Sequence, residues 1–355
     1  MFRGLAEGRA GPLQVHQRWR QHRRCGSAHP GSAVLIGHQS QIEAFTAAFT
    51  GGRPHHAWLL VGQQGLGKAS FAREAAIWLL AGAPRGDGFA VPPDGEAARL
   101  MAAGSHLDYR LIERTEAKTG KLRSEIVIGQ IVRRPDSEGQ PLREFLSGTP
   151  MLGARRVVVI DAADDMNRNT ANALLKSLEE PSEDTVFLLV SHSPGRLLPT
   201  IRSRCRTLRF SRLTDAEVSR VLASADLEGE DENLLVRLAE GCPGRAIALA
   251  GAGITALERD LAQLAALPPQ IANPAALMLA RGIGGKGREG RYAALLDRVP
   301  ALIADRAQRL TGPARGAAIA EWEAASRLAR EAVPLQLEPG QVAHRLALHL
   351  AAVPA

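Results

Sequence analysis

A glycine-rich run with one lysine is the strongest chemical signal in the sequence. It reads GQQGLGKAS, extends from Gly62 to Ser70, and joins an apolar segment to one with helical spacing. Gly62, Gly65 and Gly67 let the backbone curl so that several N–H groups face one phosphate, next to the positive end of the following helix. Lys68 is placed to supply a cation to the outer phosphates. The pattern predicts a nucleotide phosphate loop, and the alternative is an ordinary glycine-rich turn between a strand and a helix.

The groups that handle metal and water are missing from this pattern. Ala69 stands where serine or threonine would hold Mg²⁺, and Ser70 is turned from that position by one helical step of about 100°. Asp161 ends a β-branched run and can reach a metal ion or cap a helix, but Ala162 follows it where a glutamate would orient the attacking water. We therefore expect a site that binds ATP or ADP weakly or not at all and hydrolyses poorly.

Two arginine segments have the chemistry of phosphate ligands. At 200–210 three arginines alternate with small residues around Arg204, and a guanidinium binds phosphate in a bidentate way. On a rim, Arg204 could serve the nucleotide of a neighbouring subunit, although the segment alone fits a solvated basic loop equally well. At 241–246 the sequence GCPGRA places Arg245 at the start of a helix, where an exposed arginine in a helix–helix turn is the alternative.

The surrounding pattern predicts the elements that position these residues. Four short segments predict strands, and two of them, 57–62 and 185–191, are continuous apolar runs typical of strands buried on both faces. The four segments lie at 57–62, 108–114, 155–161 and 185–191. Segments with helical spacing separate them, so we predict a Rossmann-like α/β core with a parallel sheet. Residues 83–105 are rich in Pro, Gly and Ala, which predicts a loop, and only helical patterns follow residue 212.

These patterns divide the chain into four parts. Residues 1–32 are rich in Arg, Gly and His without apolar periodicity, which predicts a disordered basic extension, and a misplaced start codon explains them equally well. Residues 33–212 are the predicted α/β core, 213–252 a small helical lid, and 253–355 a helical C-terminal domain.

Composition narrows the class of protein. The three cysteines are too far apart for a disulfide framework, and no apolar run reaches the roughly 18 residues of a membrane span, so we expect a cytoplasmic protein without a membrane partner. Aromatic residues make up only 4%, which predicts a core of Leu, Ile, Val and Ala. The net charge of +7 fits a polyanion partner, but only five of 44 basic residues are lysine, so composition bias explains the charge equally well.

Together the segments resemble the bacterial clamp-loader AAA+ family of DNA polymerase III. LIGHQSQIEAF at 35–45 is similar to the family's adenine-side box. The glycine-rich run Gly62–Ser70, which we call the lysine loop, is similar to its Walker A segment. NALLKSLEEP at 172–181 closely matches the segment after Walker B, and 203–205 its Ser-Arg-Cys motif. GCPGRA resembles the sensor-2 segment. The similarity spans roughly 33–250, and the rest matches only in being helical.

The resemblance implies a role and a set of partners. In this family the gamma/tau motor subunits keep intact Walker motifs, whereas the delta-prime stator has degenerate ones, so Ala69 and Ala162 favour the stator branch. The resemblance implies that Arg204 reaches the ATP of an adjacent motor subunit as an arginine finger. It also implies a C-terminal collar that joins the ring. The expected partners are the gamma/tau and delta subunits, the sliding clamp and, through the complex, primed DNA.

One feature of the family is missing. Many members carry a four-cysteine zinc module between the Walker segments, but residues 83–154 contain no cysteine. We therefore expect no zinc, and we interpret His106 as an isolated surface residue.

Two other functions remain open from the sequence. An active AAA+ motor or helicase loader would have to work despite Ala69 and Ala162. A plain DNA-binding module would use the arginine-rich surface, but aromatic residues for stacking on bases are few and the lysine loop would be unexplained.

Overall fold

The chain folds into two compact units. The computed structural model describes residues 35–51, 54–117, 120, 122–135, 137–225, 227–283 and 288–354, so the predicted extension at 1–32 lies outside the described residues. The first unit runs to residue 226 and includes the segment 240–244, and the second contains 227–239 and 245–355. The division into core, lid and collar stays a prediction.

A five-stranded parallel sheet organises the first unit. Its strands are β1 Ala57–Val61, β2 Tyr109–Glu113, β3 Arg156–Asp161, β4 Thr185–Ser191 and β5 Arg206–Arg209, in the order β2-β3-β4-β1-β5. Its helices are α1 Gln39–Thr50, α2 Lys68–Leu80, α3 Glu96–Ala103, α4 Leu142–Leu146, α5 Arg168–Glu179, α6 Pro199–Arg202 and α7 Asp215–Leu222. The predicted α/β fold with a parallel sheet is confirmed.

The central strands β1, β3 and β4 are buried on both faces, which explains their continuous apolar runs. Leu59 and Val61 of β1 belong to a mostly aliphatic cluster that also contains residues of β3, β4 and α5, among them the fully buried ring of Phe187 of β4. On the other face, the ring of Phe45 lies 4.8 Å from that of Trp58 and 5.7 Å from that of Phe71. The expectation of a purely aliphatic core was therefore incomplete, because the few aromatic residues are concentrated on one face.

Three local predictions were wrong or incomplete. The sequence pattern missed β5, because three of its four residues are exposed. Helix α3 lies within 83–105, where the Pro, Gly and Ala content predicts a loop. His106 is not a surface residue, because it is 8% exposed and its Nδ1 accepts a hydrogen bond from the N–H of Asp108.

The second unit is helical throughout its described residues. Its helices are α8 Glu232–Ala239, the greater part of α9 Pro243–Gly251, α10 Ile254–Ala265, α11 Asn273–Ile283, α12 Glu289–Arg309, α13 Gly312–Ala332 and α14 Pro339–Ala352. Leucines and isoleucines from several of them are fully buried, among them Leu257, Ile303 and Leu346. None of the described helices combines the length and apolar character that crossing a bilayer requires.

The parallel strands bring their following residues together. Val61 of β1 pairs with Ser191 of β4, and β4 pairs in turn with β3. Since the carboxyl ends of parallel strands share one edge of a sheet, the residues after β1, β3 and β4 form one candidate site.

Candidate nucleotide loop and arginine rim

The glycine loop leaves β1 in a conformation that requires glycine. Gly65 and Gly67 each have a φ of 85°, in the left-handed region that other residues rarely adopt. A side chain at Gly62 would place its Cβ 2.7 Å from the carbonyl oxygen of Phe210, just after β5. The loop therefore has the tight curl that the sequence predicted.

The side chain of Lys68 is turned into its own loop. It is 2% exposed, and its Nζ donates to the carbonyls of Gly62 at 2.6 Å and Gln63 at 2.5 Å. Burial lowers the pKa of Lys68 to about 8, although the nearby carboxylates of Asp161 and Asp164 favour the charged form. The predicted phosphate ligand is thus already engaged within the protein.

Two further loop carbonyls have partners in the first unit. The carbonyl of Gly65 accepts the N–H of Gly244 at 2.9 Å. The carbonyl of Leu66 lies 2.8 Å from Nε2 of His38. Burial lowers the pKa of His38, while the Leu66 contact raises it. The loop is tied to its surroundings on several sides.

The acidic residues around the end of β3 diverge. Asp161, its last residue, is half-buried and close enough to Lys68 to raise the pKa of that lysine. Ala162 is 7% exposed and offers no group to orient water. Asp165 forms an ion pair with Arg114 at 2.9 Å. Within the described residues, no group of three or more His, Cys, Asp or Glu side chains could hold a metal ion.

Asp164 fixes the end of β4. Its carboxylate is 8% exposed and accepts hydrogen bonds from Oγ of Ser191 at 2.7 Å and from the backbone N–H groups of His192 and Ser193, the latter at 3.2 Å. A buried carboxylate with three donors is a strong tie, because each bond involves a charged acceptor.

His192 is a residue of this edge that the sequence reasoning missed. Its Nδ1 is buried without a hydrogen-bond partner in the described part of the chain. Burial lowers the pKa of His192 and the charge of Lys68 lowers it further, whereas Asp161 and Asp164 raise it. The available signal was its position directly after the apolar strand β4, at the same edge of the sheet as Asp161 at the end of β3.

The three alternating arginines have different contacts. Arg202 donates to the carbonyl of Pro194 at 3.1 Å, and the guanidinium of Arg206 lies 4.9 Å from the ring centroid of Trp58. Arg204 lies between the short helix α6 and β5. Its side chain is 34% exposed, and we call the segment around it, 202–206, the arginine rim.

Arg204 is nevertheless held in place. Its Nη2 lies 2.7 Å from Oε1 of Glu179, the last residue of α5. Its Nη1 donates to the carbonyl of Thr200 at 3.0 Å. The guanidinium therefore combines an accessible position with a defined orientation.

Arg245 belongs to the second unit. It is the third residue of α9, near the helix start as predicted, although Pro243 and Gly244 belong to the helix and do not form a break before it. Its Nη2 lies 2.7 Å from Oδ2 of Asp297 in α12. Its role toward a nucleotide stays a prediction.

A family model described as DNA polymerase III, delta subunit, matches residues 37–214. The match covers the lysine loop, the end of β3, the segment after it and the Ser-Arg-Cys motif.

Several curated proteins are similar to the chain. A protein of Pseudomonas aeruginosa named DNA polymerase III subunit delta' is 45% identical over 157 residues, which is 44% of this chain and 43% of that protein. The Escherichia coli protein of the same name is 32% identical and covers 59% of this chain and 58% of its own length. A tau/gamma subunit of Haemophilus influenzae is 31% identical over 60% of this chain and 29% of its own length. The chain spans about half the length of the delta' relatives.

Among solved structures, a gamma subunit-related protein of Thermotoga maritima aligns with a TM-score of 0.49 at 15% identity. The alignment covers 88% of this chain and 99% of that one.

Proposed function

The chain belongs to the DNA polymerase III delta-prime family of clamp-loader subunits, and from that membership we propose that it is the stator of a clamp loader. In this proposal it helps to load the sliding clamp on primed DNA during replication in the cytoplasm. Its partners are the gamma/tau and delta subunits, and it reaches clamp and DNA through that complex. Residues 253–355 serve as the collar that joins the ring, and 213–252 as the lid.

The observation that carries the proposal is the contrast between Lys68 and Arg204. Lys68 is buried against the carbonyls of its own loop, whereas Arg204 is held on the rim with its side chain one-third exposed. A phosphate-binding cation is thus engaged inside the subunit and another is presented outside it. This arrangement fits a subunit that supplies a group to a neighbour's nucleotide.

The subunit's own loop fits a phosphate better than it fits a complete Mg²⁺–nucleotide. Gly62, Gly65, Gly67 and Lys68 keep the shape of a phosphate cradle, while Ala69 and Ala162 lack the oxygens for metal and water. We propose that ATP or ADP binds weakly or not at all. Any such contact would involve these four residues, with Asp161 on the metal side and Arg245 as the sensor-2 arginine.

Arg204 acts by charge. In phosphoryl transfer negative charge develops on the transferred group, and a guanidinium directed at it stabilises the transition state by a factor of about 10³–10⁵ in rate. The nucleotide belongs to the neighbouring motor subunit. Arg204 therefore contributes nothing to a reaction of the isolated chain and is required only in the assembled ring.

The direct test is Arg204→Ala in a reconstituted clamp loader. We expect DNA-stimulated ATP turnover at the site that Arg204 serves to fall by about 10³-fold or more, clamp loading to fall with it, and assembly to survive. Arg202→Ala is the matched control, because Arg202 lies two residues away and contacts the carbonyl of Pro194. Unchanged turnover with Arg204→Ala would overturn the trans role.

An active motor is the second candidate, because the tau/gamma relatives are also about 30% identical to this chain. ATP turnover by the purified chain distinguishes the two. The stator proposal expects none above background, whereas Mg²⁺-dependent turnover by the chain alone would favour the motor.

A further inference from the structure

The ion pair between Glu179 and Arg204 joins two segments 25 residues apart in the sequence. Oε1 of Glu179 lies 2.7 Å from Nη2 of Arg204, and the two side chains are 45% and 34% exposed. An exposed pair of this kind adds little to stability. The ion pair therefore matters more for the orientation of the Arg204 guanidinium than for the free energy of unfolding.

Both ends of the pair rest on rigid structure. Leu174 and Leu178 of α5 belong to the same buried cluster as Ile201 and Cys205, which flank Arg204 in the sequence. The end of α5 is further held by Nε2 of His56, 2.9 Å from the carbonyl of Leu178. The distance between the two backbones is thus set by close packing, not by the ion pair.

Contacts at two different nitrogens fix the guanidinium plane. Nη1 donates to the carbonyl of Thr200 at 3.0 Å and more weakly to Oγ of Ser203 at 3.4 Å, and Glu179 lies beside Nη2. The contacts of Nη1 alone would leave the outer part of the guanidinium without a partner to hold it. With contacts at both nitrogens the planar group is held in one orientation, so less rotamer freedom is lost when a phosphate binds.

We propose that Glu179 is a positioning residue for Arg204, which it holds in the orientation that a neighbouring subunit's nucleotide meets. The inference rests on the proposed function of Arg204 as a trans-acting group. Glu179 itself touches neither nucleotide nor metal. Pre-organisation of a catalytic cation by a supporting side chain raises kcat, because the side chain is already ordered in the ground state.

Glu179→Ala in the reconstituted complex is the main test. We expect kcat for DNA-stimulated ATP hydrolysis to fall about tenfold, the order of the rotamer freedom of one immobilised arginine, with KM for ATP unchanged. Glu179→Gln keeps an oxygen acceptor at the same position and should recover most of kcat. Glu180→Ala is the matched control, because Glu180 is the adjacent exposed carboxylate at the end of α5.

Arg204→Ala, measured in parallel, separates this inference from the proposed function. If Arg204→Ala lowers turnover and Glu179→Ala does not, the positioning role is wrong and the trans role stands. An increase in kcat with Glu179→Ala would also overturn it, since the carboxylate would then restrain the arginine. If Arg204→Ala is itself without effect, the proposed function fails first. With Arg204→Ala present, adding Glu179→Ala should cause no further loss.

Discussion

The lysine loop and the arginine rim each carry a basic side chain suited to phosphate, but it is buried in the loop and partly exposed on the rim. The exposed fraction is 2% for Lys68 and 34% for the side chain of Arg204. The Nζ of Lys68 donates to two backbone carbonyls of its own loop, whereas Arg204 contacts the carboxylate of Glu179, the carbonyl of Thr200 and the hydroxyl of Ser203 and stays one-third exposed.

A loop without groups for metal and water can still keep its shape, because that shape is held by contacts with its surroundings. Gly62 packs against the backbone of Phe210 after β5, and the carbonyl of Gly65 accepts a hydrogen bond from the N–H of Gly244. We therefore expect substitutions in the lysine loop and in the arginine rim to change different measured quantities. Changes at the lysine loop should appear in the free energy of unfolding, and changes at the rim in turnover.

Lys68→Met should leave turnover at the site that Arg204 serves within about twofold, whereas Arg204→Ala should lower turnover at that site by about 10³-fold. Methionine keeps the length and apolar stem of lysine and removes its charge, so it tests the cation and not the packing. The measurement is steady-state ATP hydrolysis with primed DNA and clamp. A loss as large as that of Arg204→Ala would erase the contrast and show that the loop works on nucleotide.

Asp164→Ala should destabilise the chain by about 3 kcal/mol, because the hydroxyl of Ser191 and two backbone N–H groups lose their charged acceptor in a buried place. The adjacent Asp165→Ala is the matched control. Asp165 pairs with Arg114 on the surface, with side chains 26% and 40% exposed, and such pairs contribute about 0.5 kcal/mol or less. Denaturant unfolding measures both, and equal losses would contradict the structural role of Asp164.

Much of this architecture follows from local pattern. The strands β1, β3 and β4 are buried on both faces and so appear as continuous apolar runs. Thr214 followed three residues later by Glu217 is the sequence pattern of a capping box, and that box begins α7 in the structure. The glycines of the lysine loop were recognisable because their spacing is typical of the tight curl of a phosphate loop.

The features that the sequence could not predict are an exposed edge strand and contacts whose partners are set by the folded backbone. β5 is an edge strand with charged, exposed residues, so no apolar run marks it. The inward turn of Lys68 depends on where the loop carbonyls point. The contact of Glu179 with Arg204 requires that α5 and α6 share a core, and no spacing in the sequence encodes that.

The contact between the lysine loop and the segment 241–244 gives the last test of the comparison. A Cβ on Gly244 would lie 2.8 Å from Cα of Gly65, and because the neighbour is backbone it has to shift. We expect Gly244→Ala to destabilise the chain by about 1–2 kcal/mol. Gly251→Ala, at the other end of the same helix, meets nothing within 4 Å and should be neutral or slightly stabilising.

Turnover of the complex should remain unchanged in both glycine variants, since neither touches the rim. If Gly244→Ala instead lowered turnover without lowering the free energy of unfolding, the conformation of the lysine loop would affect turnover directly. The loop would then not be a purely structural region. Equal stability of the two variants would show that the 2.8 Å approach relaxes freely and that the loop is less firmly tied than its hydrogen bonds indicate.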